Sequence, residues 1–103
     1  MSSDPWFLEL SEFLRIPSIS ADVAHAGDVR TAAEWVCSHV RGSGGECEVV
    51  DWETHPLAIG EIRASRDAAS APTVICYGHF DVQPPDPLEL SEEDVSRRAE
   101  LVR

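Results

Sequence analysis

Apolar positions in the first part of the chain recur every three or four residues. Trp6, Leu10, Phe13 and Leu14 fall on one face of a helix, with Asp4 as its N-cap and Pro5 as its first residue. Pro17 bounds that helix, because the residue before a proline disfavours helical backbone. The small, polar stretch 18–22 breaks the period and reads as a loop. A second helix is expected to begin near Asp28, whose carboxylate suits the positive end of the helix dipole. Val29, Ala32, Ala33, Val36 and Val40 form its apolar stripe, with Arg30, Glu34 and Arg41 turned outward. The cluster Gly42-Ser43-Gly44-Gly45 stops it.

Beyond the glycines the period shortens. Residues 46–52 (ECEVVDW) and 57–64 (LAIGEIRA) are short, rich in β-branched residues and partly alternating. They predict two strands joined around Thr54-His55-Pro56, with a connection that permits antiparallel pairing. A polar, Ala-rich loop follows. Thr73-Val74-Ile75-Cys76-Tyr77 is then a near-continuous apolar run and predicts a third strand, buried on both faces. It leads into Gly78-His79-Phe80-Asp81 and the rigid Pro84-Pro85-Asp86-Pro87. Residues 91–103 predict a terminal helix, with Ser91 and Asp94 as a capping box and Arg at its end. The class is α/β, with helices packed on a small mixed sheet. A sheet of this kind leaves an open edge and an uncovered apolar face, so self-association is expected.

Charge narrows the range of partners. Eight basic residues, all Arg, stand against nineteen acidic ones in 103, a net charge of −11. A surface this acidic excludes a nucleic-acid backbone or an anionic membrane surface as partner, since both require a cationic face. Disorder is disfavoured by 43% hydrophobic residues and three Trp. The N-terminal residues have neither the basic nor the apolar region of a secretory signal, and no window approaches the ~20 apolar residues of a membrane span. A cytoplasmic location is expected. Cys37, Cys47 and Cys76 are odd in number and widely spaced, which reads as free thiols rather than a disulfide framework or zinc knuckle.

Chemistry is expected at the end of the third strand. In α/β folds ligands gather outside the carboxyl ends of strands. His79 occupies that position, and Asp81 lies two residues on, on the same side of an extended segment. A carboxylate that accepts one ring N–H fixes the imidazole tautomer and leaves the other nitrogen's lone pair for a metal. On spacing alone this H-x-D pair reads equally as a strand-capping His paired with an Asp. His25, His39 and His55 read as surface imidazoles. Ser18 and Ser20 do not form a nucleophile elbow. Glu92-Glu93-Asp94 offers at most a weak divalent-cation site.

The segment 73–84 (TVICYGHFDVQP) closely resembles the first metal-binding motif of the cytosolic dipeptidase, carnosinase-like branch of the aminoacylase, dipeptidase and carboxypeptidase G family. Residues 13–21 (FLRIPSISA) are similar to that family's N-terminal helix and loop, and 27–35 (GDVRTAAEW) to its second helix. The resemblance runs from about Phe7 to Leu90, and Gln83-Pro84 favours the dipeptidase branch. It implies that residues 1–90 are the N-terminal portion of a three-layer metallopeptidase catalytic domain, with 91–103 a divergent helical tail. It also implies zinc metallopeptidase chemistry on short peptides, with two zinc ions and a metal-bridging water activated by a general-base Glu. Carried onto this sequence, His79 is a metal ligand and Asp81 the catalytic-site carboxylate that orients it.

The remaining ligands, the general base and a smaller dimerisation domain lie downstream of the motif in that family. The chain therefore reads as a truncated zinc-dependent dipeptidase, a fragment of a hydrolase that binds metal at most partially and is inactive alone. The alternative is a non-catalytic remnant or an acidic binding module.

Overall fold

The computed structural model describes residues 3–84 and Arg97. Helix α1 spans Pro5–Leu14, and Pro5 occupies the first turn, where its missing N–H removes nothing. The Asp4 carbonyl accepts from the N–H groups of Phe7 and Leu8. A 3-10 turn at Val23–His25 precedes helix α2, Ala26–Gly42. The side chain of Asp22 caps that turn by accepting from the Ala24 N–H at 2.9 Å. The second helix thus starts two residues before Asp28, which lies in its first turn as the dipole favours.

Strands β1 (Glu46–Trp52) and β2 (His55–Glu61) form one antiparallel pair, in register from Glu46 opposite Glu61 to Trp52 opposite His55. The connection is therefore only Glu53-Thr54, with Glu53 at φ 46°. Two-residue hairpins require positive φ because the turn must match the strands' right-handed twist. The residues 54–56 expected to join the strands are thus largely inside the hairpin.

The core lies between α2 and one face of this hairpin. Of the expected stripe on α2, Val29, Ala32 and Ala33 are buried and Val36 and Val40 are half-buried, while Cys37, not expected on it, is fully buried. Cys47, Val49, Pro56 and Ala58 of the strands are half-buried. Small residues on α2 let the helix approach the sheet closely. Gly45 makes this approach possible: a Cβ there would lie 2.7 Å from the Glu61 carbonyl oxygen and 2.9 Å from a methyl of Val40. Gly44, at φ +94°, supplies the left-handed residue that turns the chain from helix to strand.

Helix α1 is joined to α2 by Phe13, whose ring lies 4.7 Å from that of Trp35. Its remaining predicted apolar face is mostly uncovered, with Trp6, Leu10 and Leu14 exposed. The other face of the hairpin also exposes Trp52, Leu57 and Ile59.

The third strand is not formed. Residues 73–77 belong to no sheet, and Val74, Ile75 and Tyr77 are 80–91% exposed. Cys76, expected inside, is exposed as well. A strand buried on both faces needs a neighbour on each edge and a layer on each side. Among the described residues the sheet has two strands, so an apolar run has no sheet position to fill. The sheet is a small antiparallel hairpin rather than a three-stranded mixed one, while helices packed on strands keep the α/β class. Most of the proline-rich segment and the terminal helix expected at 91–103 lie outside the described residues. Arg97 alone of the latter is described, as helical and exposed.

Replacing Gly45 by Ala is expected to destabilise the chain by about 1–3 kcal/mol through overpacking. Gly42→Ala, where a Cβ meets nothing within 4 Å, is expected to be neutral or slightly stabilising. Thermal denaturation of the two variants beside the parent checks the contrast.

Candidate functional site

Residues 18–20 and 80–82 are separated by some sixty positions and lie side by side. Ile19 and Val82 form an isolated parallel bridge, and the Val82 N–H donates to the Ser18 carbonyl at 2.9 Å. Ser18 is itself buried, 2% exposed. A buried hydroxyl without an acceptor is costly, and Ser18 Oγ finds one in the Phe80 carbonyl at 2.8 Å. Buried Ile19 anchors the same turn. The backbone that carries His79 and Asp81 is thus tied to the loop after α1 by two bonds, although no strand delivers it.

The side chains complete the tie. His79 Nδ1 lies 2.8 Å from Asp81 Oδ1, and Ser20 Oγ donates to Asp81 Oδ2 at 2.6 Å. Both carboxylate oxygens are therefore engaged. The Ser20 hydroxyl holds the Asp81 carboxyl below its ordinary value; partial burial opposes this and the His79 ring adds to it. An ionised carboxylate only accepts, so the proton of a neutral His79 sits on Nδ1 and the lone pair on Nε2. The imidazole is 75% exposed. Ser20, Val29, His55, Tyr77, His79 and Asp81 line a hollow of about 220 Å³ beside it.

Such an arrangement can accept a proton at Nε2 or donate that lone pair to a metal. A zinc centre is a larger demand, since catalytic zinc takes about three protein ligands and an open position. Among the described residues no group of three or more His, Cys, Asp or Glu side chains could hold a metal ion. The hollow holds one imidazole oriented by a carboxylate, that of His79, and this does not fit a complete centre.

The other histidines are dispersed. His25 pairs with Asp28 at 2.8 Å at the start of α2. His39 stacks on Trp35, with ring centroids 5.2 Å apart and planes 6° from parallel, and lies 3.8 Å from Glu9. Only His55 shares the hollow with His79. Reasoning from motifs overlooks both serines, because neither belongs to a nucleophile pattern and their partners lie some sixty residues away. Proximity of small polar residues to a predicted helix end gave no signal of this role.

The Asp81 tie has a defined pH dependence. A carboxyl held below its ordinary value of 3.8 contributes stability that is fully present above that value and is lost as pH falls through the lower folded one. Ser20→Ala removes the largest cause, so the Asp81 midpoint is expected to rise. Titration of the side-chain carboxyl by NMR checks the direction, and an unchanged midpoint would show that Ser20 does not hold it.

No protein-family model and no solved structure matches the chain. It is 33% identical over 99 aligned residues to the cysteinylglycine-S-conjugate dipeptidase of Corynebacterium striatum, covering 85% of this chain and 21% of that protein. It is also 33% identical over 91 residues to the Cys-Gly metallodipeptidase dug1 of Schizosaccharomyces pombe, covering 79% of this chain and 18% of that protein. The chain thus spans about a fifth of the length of the curated relatives it matches. Over that fifth, the two likenesses support a relation to the dipeptidases.

Proposed function

We propose that residues 1–90 form the N-terminal part of the catalytic domain of a metal-dependent dipeptidase, which hydrolyses a peptide bond in short peptides. In this reading His79 supplies one metal-ligand arm through Nε2, Asp81 fixes the ring's tautomer and direction, and Ser20 fixes Asp81. The observation that carries it is the His79–Asp81 contact at 2.8 Å, backed by Ser20, inside the segment that resembles a metal-binding motif. The names of the two relatives support a dipeptide substrate of the cysteinylglycine type, and the second name supports a metal. Zinc is the metal we assign, on the resemblance of residues 73–84.

The arrangement does its work before any reaction. A metal-ligating imidazole free to rotate or to change tautomer loses affinity, and an acceptor on the remote nitrogen removes both freedoms. Chemistry beyond this point requires groups that the described residues do not bring together, so the chain alone is proposed to be inactive. The part of that domain carried here is proposed to run to about residue 90, with a divergent tail over 91–103, and the setting is proposed to be the cytoplasm.

A chimera tests the reading. The matched segment of the Corynebacterium striatum dipeptidase is replaced by residues 1–90 of this chain, and hydrolysis of a cysteinylglycine substrate is measured. The chimera is expected to turn over, with Asp81→Ala lowering kcat/KM by about 10–100-fold and His79→Ala lowering it at least as far. The isolated chain is expected to show no turnover with added zinc. A folded chimera whose activity is indifferent to His79→Ala would favour a non-catalytic remnant or an acidic binding module. Turnover by the isolated chain would overturn its proposed inactivity.

A further inference from the structure

Two of the three cysteines, which their odd number and wide spacing present as free thiols, are brought together by the fold. Cys37 lies on the buried face of α2 and Cys47 on the strand face that packs against it. Their sulfurs are 2.6 Å apart, against about 2.05 Å in a disulfide. Two further features hold them there. Arg41, one turn along α2 from Cys37, donates from Nε and Nη2 to the Cys47 carbonyl at 3.1 and 2.6 Å, fixing the strand backbone against the helix. Gly60 stands opposite Cys47 in the hairpin, and a Cβ there would lie 3.1 Å from the Cys47 sulfur. The missing side chain leaves that sulfur room beside its partner.

We propose that Cys37 and Cys47 are a modification site, at which an intrachain disulfide forms by exchange with a small-molecule disulfide such as oxidised glutathione and is reversed by the corresponding thiol. The order of events follows from exposure. Cys47 is half-buried, whereas Cys37 is fully buried. Burial, with the Cys47 contact, pushes the Cys37 thiol up to about 11, which makes it the poorer first nucleophile. The Cys47 thiolate attacks one sulfur of the small disulfide; its S–S bond breaks and one small thiolate leaves, taking up the proton Cys47 lost. Cys37 then gives up its proton and attacks the Cys47 sulfur of the mixed disulfide, expelling the second small thiolate, which is protonated in turn. Two protein S–H bonds and one small S–S bond are exchanged for one protein S–S bond and two small S–H bonds. The protein sulfurs lose two electrons and the small disulfide gains them.

The bond would staple α2 to β1 across a loop of nine intervening residues, closing the junction that Gly44 and Gly45 turn. It restricts the unfolded chain more than the folded one, in which the sulfurs already touch. Cys76, exposed in a different segment, is the internal control.

The test uses the purified full chain in glutathione buffers of graded oxidation, quenched with acid, alkylated and mapped by mass spectrometry. A linked peptide joining Cys37 to Cys47 is expected in the monomer, with Cys76 carrying a glutathione adduct. The oxidised chain is expected to melt on the order of 10 °C higher than the reduced one, reversibly with added glutathione. In Cys37→Ser the adduct is expected to remain on Cys47, because no resolving thiol is present. The parent map carries the test if that variant does not fold. A parent chain in which Cys76 is oxidised while Cys37 and Cys47 are both alkylated would overturn the proposal, as would one that retains an adduct on Cys47 without forming the linked peptide. No step involves His79, so either result leaves the reading of that site unchanged.

Discussion

The tie between residues 18–20 and 80–82 is the constraint on which the site depends. Without it the segment that carries His79 has little to hold it, since residues 73–77 before it are exposed and belong to no sheet. Three hydrogen bonds and the burial of Ile19 do what a central strand would otherwise do. Ser18 ties backbone to backbone, and Ser20 ties backbone position to side-chain direction. The His79 imidazole is consequently oriented by a carboxylate that is itself oriented, the support that the metal-ligand role proposed for it requires.

The packed part of the chain and the site obey different rules. Helix α2 and the hairpin are joined by small residues, a close glycine and the Cys37–Cys47 contact, all short-range in sequence. The site joins the loop after α1 to the far end of an exposed apolar segment. Val74, Ile75 and Tyr77, with Leu57, Ile59 and Trp52 on the open hairpin face, leave much apolar surface in water. Among the described residues these side chains lie outside the core that α2 and the inner hairpin face enclose.

What was legible in the sequence follows the same division. Both helices, the hairpin and the stripe Val29–Ala32–Ala33 are local patterns, and periodicity reads them well. The His79–Asp81 convergence is also local, fixed by two-residue spacing in an extended segment. The third strand was misread because a run such as 73–77 reports only the wish to be buried, while burial depends on neighbours far along the chain. The roles of Ser18 and Ser20 are hidden for the same reason, since their partners lie some sixty residues away. Cys37 and Cys47 are only ten positions apart, and what brings them together is the packing of α2 on the hairpin, which neither helical nor strand periodicity states.

The protonation of a single ring tests this most directly. Long-range proton–nitrogen NMR on the His79 side chain, at a pH where the imidazole is neutral, distinguishes its two tautomers. A carboxylate held by Ser20 and accepting from Nδ1 requires the proton on Nδ1 and an unprotonated Nε2. A ring protonated on Nε2, or averaging freely between tautomers, would contradict the arrangement on which the site is built.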